Sequence, residues 1–313
     1  MAKQTFEPAT TKQTLNRVTA KSMPFDWSIN PYRGCTHGCS FCYARAFQSF
    51  LGRDAEDEFQ NRIIVKENAA EALEAQLSKN AKKYSGDLDA AARHIGWVAL
   101  GTATDPYQPV EGKARITREC LKVLAKYRIM TSITTRSPLI LRDRDILAGM
   151  NYLTVNISIG TLRADITRKL EPGSPLPAKR LEAVEGLTRH GISAGAIIAP
   201  ILPCLTDAGK DLELVVAAIK NRGASFAYAG LLRLTPDVKA WYLRTLETHF
   251  PHLLPAYNNL YSGAYASRAY SDHLMEKVSR LLERYELSSR PTWRAEPRES
   301  QPPAHAEQLE FSF

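Results

Sequence analysis

Six times along this chain a short apolar run rich in β-branched residues gives way to a stretch with helical spacing. The runs are 27–30, WVALG at 97–101, MTSITT at 130–135, LTVNISIG at 153–160, SAGAIIAP at 193–200 and FAYAGLLRL at 226–234. Runs apolar on both faces belong in a sheet covered on both sides, and helices between them force neighbouring strands to lie parallel. Among the intervening segments, Ile116 to Tyr127 sets Ile116, Cys120, Val123, Leu124 and Tyr127 on one helical face. Asp207 to Lys220 opens on a capping-type Asp before LELVVAAI. Six β/α units predict an α/β fold, a partial (β/α)6 TIM-like barrel, with functional groups on the loops that follow the strands.

The barrel is expected over residues 26–240, followed by a C-terminal helical extension at 241–286. Residues 1–25, polar and without periodicity, read as an N-terminal tail, and 287–313, rich in Pro, Ser and charge, as a disordered one. An apolar fraction of 44% with 24% charged residues is that of a globular protein. No apolar run approaches the roughly 18 residues of a membrane span, and the first residues lack a signal-type apolar core, so a cytoplasmic location is expected. The net charge of +8 favours acidic partners or nucleic acid, though it serves solubility equally well.

Five cysteines, an odd number, speak against a disulfide framework. Three of them, Cys35, Cys39 and Cys42, lie in NPYRGCTHGCSFCYAR directly after the first strand. Structural zinc sites take four Cys or His ligands, whereas three thiolates on an iron–sulfur cubane leave one iron open to a small molecule. Gly34 and Gly38 permit the tight wrap this needs. A zinc site completed by His37, or incidental thiols, are the competing readings at this point. Cys120, on an apolar helix face, reads as core.

The spacing Cys-x-x-x-Cys-x-x-Cys, with Phe41 before the last cysteine and Tyr43 after it, resembles the signature of the radical S-adenosylmethionine (SAM) superfamily. GTATDPYQPVEGK, SITTRS, VNISIGT, LEPGSPLPAKRLEA and GISAGAIIAPILP further resemble the branch related to spore photoproduct lyase, the likeness covering roughly residues 26–235. The resemblance implies a 4Fe-4S cluster on the three cysteines and SAM as cofactors. It also implies reductive cleavage of SAM to a 5′-deoxyadenosyl radical for hydrogen abstraction, and a reductant such as flavodoxin or ferredoxin. Residue by residue, it implies that Thr102, Thr104 and Asp105 meet the methionine amino group and that Arg136 takes its carboxylate. Ser158 would then touch the ribose, while Phe41, Ala199 and Pro200 support the adenine. By the same resemblance the activity is that of a radical SAM enzyme, lyase-like, and akin to DNA repair.

The likeness to the lyase breaks at Thr102, where the lyase carries a hydrogen-donating cysteine. A threonine O–H bond is too strong for that task, so the same repair chemistry is not expected. Cys204, in PILPCLTD after the fifth strand, and the phenols of Tyr43 and Tyr107 are the other candidate hydrogen-atom donors. The chain closes with Gln308, Leu309, Phe311 and Phe313. These resemble the short motif by which bacterial repair proteins dock on the DNA sliding clamp. Nucleic acid is the expected substrate class; a radical reaction on another substrate, or a non-catalytic iron–sulfur or zinc adaptor recruited to the clamp, are the alternatives.

Overall fold

The structure, a computed structural model, describes residues 4–20, 23–49, 52 and 55–289. Its strands are β1 (Thr5–Ala9), β2 (Asn16–Arg17), β3 (Trp27–Ile29), β4 (Tyr32–Arg33), β5 (Arg62–Lys66), β6 (Val98–Leu100), β7 (Thr131–Thr135), β8 (Leu153–Ser158), β9 (Ala194–Ile201) and β10 (Ala227–Leu231). The main sheet has the order β10-β9-β8-β7-β6-β3-β2. From β3 to β10 every neighbouring pair is parallel. These six strands succeed one another in chain order, as a partial β/α barrel requires.

Alternation along the strands explains the layering. Val98, Leu100, Ile133, Val155, Ile157, Ala196 and Ile198 enter the principal core, under helices such as Ala69–Lys83, Ile116–Lys126, Pro177–Thr188 and Gly209–Asn221. The intervening Ser132 and Asn156 share the opposite face, where the Asn156 Nδ2 donates to Ser132 Oγ at 3.0 Å. Polar residues on that inner face leave it available for a polar ligand. Asp207 does not cap the Gly209–Asn221 helix, which starts from Ala208; its carboxylate instead accepts from the Tyr270 hydroxyl at 2.5 Å.

The described part of the amino-terminal segment is not a tail. β1 runs parallel to β5 in a separate three-stranded sheet of order β1-β5-β4, and β2 lies antiparallel to β3. Gln76 Oε1 accepts from the amides of Thr14 and Leu15 at 2.8 and 2.9 Å. Edge pairing and side-chain clasps order a backbone through main-chain groups, which composition does not report.

Helices Pro236–His249, Leu254–Leu260 and Arg268–Arg284 follow the last strand. Val238, Tyr242, Leu246, Tyr257 and Tyr261 build a second core that also takes in Cys39 and Phe41, so this extension supports the cysteine loop. Among the described residues no helix is long and apolar enough to cross a membrane. Gln308, Leu309, Phe311 and Phe313 lie outside the described residues.

Candidate active site

The cysteine loop leaves β4 through Gly34, whose φ is +79°. A Cβ there would stand 2.8 Å from the carbonyl oxygens of both Phe59 and Arg62, so only glycine fits. The Cys35 amide donates to Phe59 O at 2.9 Å, Ser40 N to Leu170 O at 2.8 Å and Gly173 N to His37 O at 3.0 Å. Arg45, wholly buried, holds the loop from beneath. Its Nε donates to Cys39 O at 2.8 Å, and its Nη2 to Gly38 O at 3.2 Å and Gln60 Oε1 at 2.7 Å. Its Nη1 donates to Glu56 O at 2.6 Å and Ala55 O at 3.1 Å. The guanidinium also sits 5.0 Å from the Phe59 and Trp241 ring centres.

Cys35 and Cys39 are buried and Cys42 is half-buried. Burial pushes the Cys35 thiol well above its ordinary range, with the Asp105 charge adding to it. Burial likewise pushes Cys39 up to about 11, against the opposing pull of Arg136. Buried sulfurs of this kind become stable thiolates when bound to cations, and an all-sulfur set of three on one loop fits an iron–sulfur cluster. His37 is buried with its Nδ1 3.3 Å from Asp105 Oδ2, which ties the imidazole to the residues after β6. Among the described residues no three His, Cys, Asp or Glu side chains are grouped as a single metal ion requires.

The residues after β6 turn toward this loop. Thr104 Oγ1 donates to Gly34 O at 2.6 Å and accepts from Gln108 Nε2 at 3.0 Å. Asp105 Oδ1 accepts from Thr135 Oγ1 at 2.6 Å and Tyr107 N at 2.9 Å, and Oδ2 from Arg136 N at 2.8 Å. Burial alone would raise this carboxyl, but His37, Thr135 and the Arg136 amide outweigh it and hold it at about 2. With both oxygens so engaged, Asp105 braces the cysteine loop and the end of β7 rather than standing open to an ammonium group. Thr102 Oγ1 accepts from Asn30 Nδ2 at 3.0 Å, while its carbonyl accepts from the Tyr43 hydroxyl.

Arg136 follows β7. Its Nε donates to Glu171 Oε2 at 3.0 Å, and its guanidinium lies 6.0 Å from the Phe41 ring centre. The same Glu171 oxygen accepts from Arg180 Nη2 at 2.7 Å and lies 3.9 Å from Cys39 Sγ. Arg180 Nη1 reaches Ser158 O at 3.2 Å, so the end of β8 is tied into this charge cluster. Burial works against the Glu171 carboxylate, yet Arg180 and Arg136 together keep its pKa below the usual value. Sequence reading missed Glu171, Arg180 and Arg45 as site residues, since a charge nine residues from another on a helical segment looks like solvated surface. Gly173 was the available signal: a Cβ there would fall 2.1 Å from Thr36 O, so the 170–174 segment must lie flat on the cysteine loop.

Beside this cluster a narrow cleft is lined by Phe41, Thr161, Glu171, Ala199, Pro200 and Thr206. It brings together the three residues expected to support an adenine. A larger recess opens between β3, the small sheet and the segment after Cys42, with Asn30, Phe47, Gln48, Lys66 and Ala103 in its wall. Tyr43 and Phe47 are half exposed and meet edge to face, ring centres 6.0 Å apart. Cys204 is exposed on the loop after β9. Tyr107 is fully buried in the principal core beside Asp143 and Glu111, and is not brought to either opening.

Comparison with known proteins agrees with this geometry. Residues 29–215 match the radical SAM superfamily. An uncharacterized protein of Mycobacterium tuberculosis is 30% identical over 289 residues, covering 91% of this chain and 82% of that one. Another, from Methanocaldococcus jannaschii, is 28% identical over 253 residues, 80% of this chain and 85% of its own. Among solved structures, spore photoproduct lyase complexed with dinucleoside spore photoproduct superposes with a TM-score of 0.64 at 18% identity, over 90% of this chain and 79% of the lyase. At that identity the likeness is one of fold. Members of the superfamily use a 4Fe-4S cluster and SAM, and with the match spanning most of the barrel, this chain belongs to the radical SAM superfamily.

Proposed function

We propose that the enzyme abstracts a hydrogen atom from a base or sugar of a nucleic acid, in a lyase-like reaction on a lesion or modified nucleotide. The observation that carries this reading is the Tyr43–Phe47 pair, 52% and 45% exposed, immediately after the last cluster cysteine. Exposed aromatic faces next to a reactive centre are stacking platforms for unpaired bases. Arg233 over the Tyr265 ring at 5.1 Å supplies a further cationic aromatic face beyond β10. The dinucleoside held by the structurally similar lyase supports the same substrate class, as does the +8 charge.

Cys35, Cys39 and Cys42 would hold the cluster, and Arg136 would orient the SAM carboxylate through the guanidinium nitrogens not engaged by Glu171. Phe41, Ala199 and Pro200 would close on the adenine and exclude water. Once bound, the cluster and SAM supply a 5′-deoxyadenosyl radical as the hydrogen-abstracting agent. Tyr43 would fix the approach of the substrate, its hydroxyl already anchored on Thr102 O, and Cys204 is the exposed thiol available to return a hydrogen atom. In this reading a flavodoxin or ferredoxin supplies the electron, and Gln308, Leu309, Phe311 and Phe313 dock the enzyme on the sliding clamp.

Anaerobic reconstitution followed by SAM and dithionite should release 5′-deoxyadenosine, and its absence despite a full cluster would favour the adaptor alternative. Single-stranded DNA, duplex DNA and RNA should each be titrated at low salt; no binding to any of them sinks the nucleic-acid reading. Deleting residues 308–313 should abolish clamp binding and leave SAM cleavage intact.

A further inference from the structure

Glu171 is a buried carboxylate one of whose oxygens meets Arg136, Arg180 and the edge of a cluster cysteine. We propose that Glu171 is the positioning residue for Arg136, and that its fixed negative charge beside Cys39 holds down the reduction potential of the cluster. The inference rests on reading Arg136 as the carboxylate-binding residue.

Arg136 follows β7 as a side chain with several rotamers, and Phe41 alone would let the guanidinium slide across its face. The 3.0 Å bond from Nε to Glu171 Oε2 selects one orientation and leaves the two Nη atoms without a hydrogen bond among the described residues. A guanidinium held by its Nε edge still offers paired donors to a carboxylate. Arg180 is what makes a buried carboxylate tolerable there: its Nη2 binds the same oxygen at 2.7 Å, and its Nε is anchored on Pro175 O at 2.8 Å. The segment carrying Glu171 is pinned to the cysteine loop through Ser40 N to Leu170 O at 2.8 Å and Gly173 N to His37 O at 3.0 Å. These backbone bonds keep Glu171 beside the cysteine loop, where its Oε2 accepts from the Cys39 thiol at 3.9 Å; once the sulfur is a cluster thiolate that bond is gone and the carboxylate charge faces the ligand directly. Reduction adds an electron to the cluster, so a carboxylate at that range opposes it.

Two substitutions separate charge from geometry. Glu171→Gln keeps an acceptor for both arginines but removes the charge; Glu171→Asp keeps the charge but withdraws it by one methylene. The expected results, with iron and sulfide contents at wild-type level, are a positive shift of the midpoint potential in Glu171→Gln and an unshifted potential in Glu171→Asp. SAM affinity, measured by calorimetry, should fall about tenfold in Glu171→Asp and only about twofold in Glu171→Gln. Arg136→Gln is the reference: wild-type SAM affinity in that variant means that the reading of Arg136 itself is wrong. Weak SAM binding in Arg136→Gln combined with wild-type potential and affinity in both Glu171 variants overturns this inference alone. Loss of the cluster from both Glu171 variants, with Arg136→Gln still loaded, reduces Glu171 to a support of the loop and also overturns it.

Discussion

His37 and Asp105, one in the cysteine loop and one after β6, face each other in the interior with Nδ1 and Oδ2 3.3 Å apart. The contact joins the ligand loop to the strand ends, since Asp105 simultaneously accepts from Thr135 Oγ1 and Arg136 N at 2.6 and 2.8 Å. Replacing Asp105 with Ala strands a buried imidazole, a buried hydroxyl and a buried amide. The expected cost is about 3 kcal/mol of unfolding free energy, read as a lower denaturation midpoint in denaturant titration. Asp105→Asn, which retains an acceptor, should lose less.

Cys39→Ala should reduce iron and sulfide to background after reconstitution and abolish 5′-deoxyadenosine formation. Cys120→Ala should leave both intact, since Cys120 is buried in the principal core; its effect should be a modest loss of stability, about 1 kcal/mol. Iron analysis and product chromatography distinguish the two.

Arg45 makes five hydrogen bonds, four of them to carbonyls of the 38–56 segment and one to Gln60. Arg45→Met fills the space between Phe59 and Trp241 but leaves those acceptors unsatisfied. A destabilisation of about 3–5 kcal/mol is expected, together with poor cluster retention measured as iron lost on gel filtration.

Lys66 lies against the larger recess, where its Nζ donates to Asn30 O at 2.9 Å. Burial, with the nearby Arg33 charge, lowers its pKa to about 8. The unfolded chain therefore binds a proton here between about pH 8 and 10.5 that the folded chain has released, so stability rises with pH across that window. Below pH 8 the full penalty of the charged amine is present. Lys66→Met should thus improve on the wild type most at pH 7, by about 1–2 kcal/mol, with the gain shrinking as pH approaches 10.5. Denaturant melts at pH 7, 9 and 10.5 check this; a gain that is constant with pH refutes the assignment.

The six barrel strands, the helix at Ile116–Lys126 and the thiol triplet were legible from the residues alone. Each is carried by a local pattern: a run buried on both faces, a 3.6-residue period, three sulfurs within eight positions. The positions of Thr102 and Arg136 just after their strands, and of Ser158 at the end of its strand, followed from counting strands. What escaped was the work those loops do. Asp105 reads in sequence as an open acidic group before a proline, and only folding reveals that its oxygens accept from Thr135, Arg136 and Tyr107, with the His37 ring 3.3 Å away. The strand Arg62–Lys66 has the composition of a strand but lies outside the β/α alternation, so its small sheet with β1 and β4 had no pattern to announce it.

Sequence by itself determined the succession of the six barrel strands and the identity of the ligand loop, because local periodicity and spacing survive in one dimension. Tertiary structure alone decided which charges are buried together. Arg136 and Glu171 stand 35 positions apart, and Arg45 anchors carbonyls on both sides of its own turn. Such partners are chosen by the desolvation each would suffer unpaired, a quantity that exists only once the chain has closed around them.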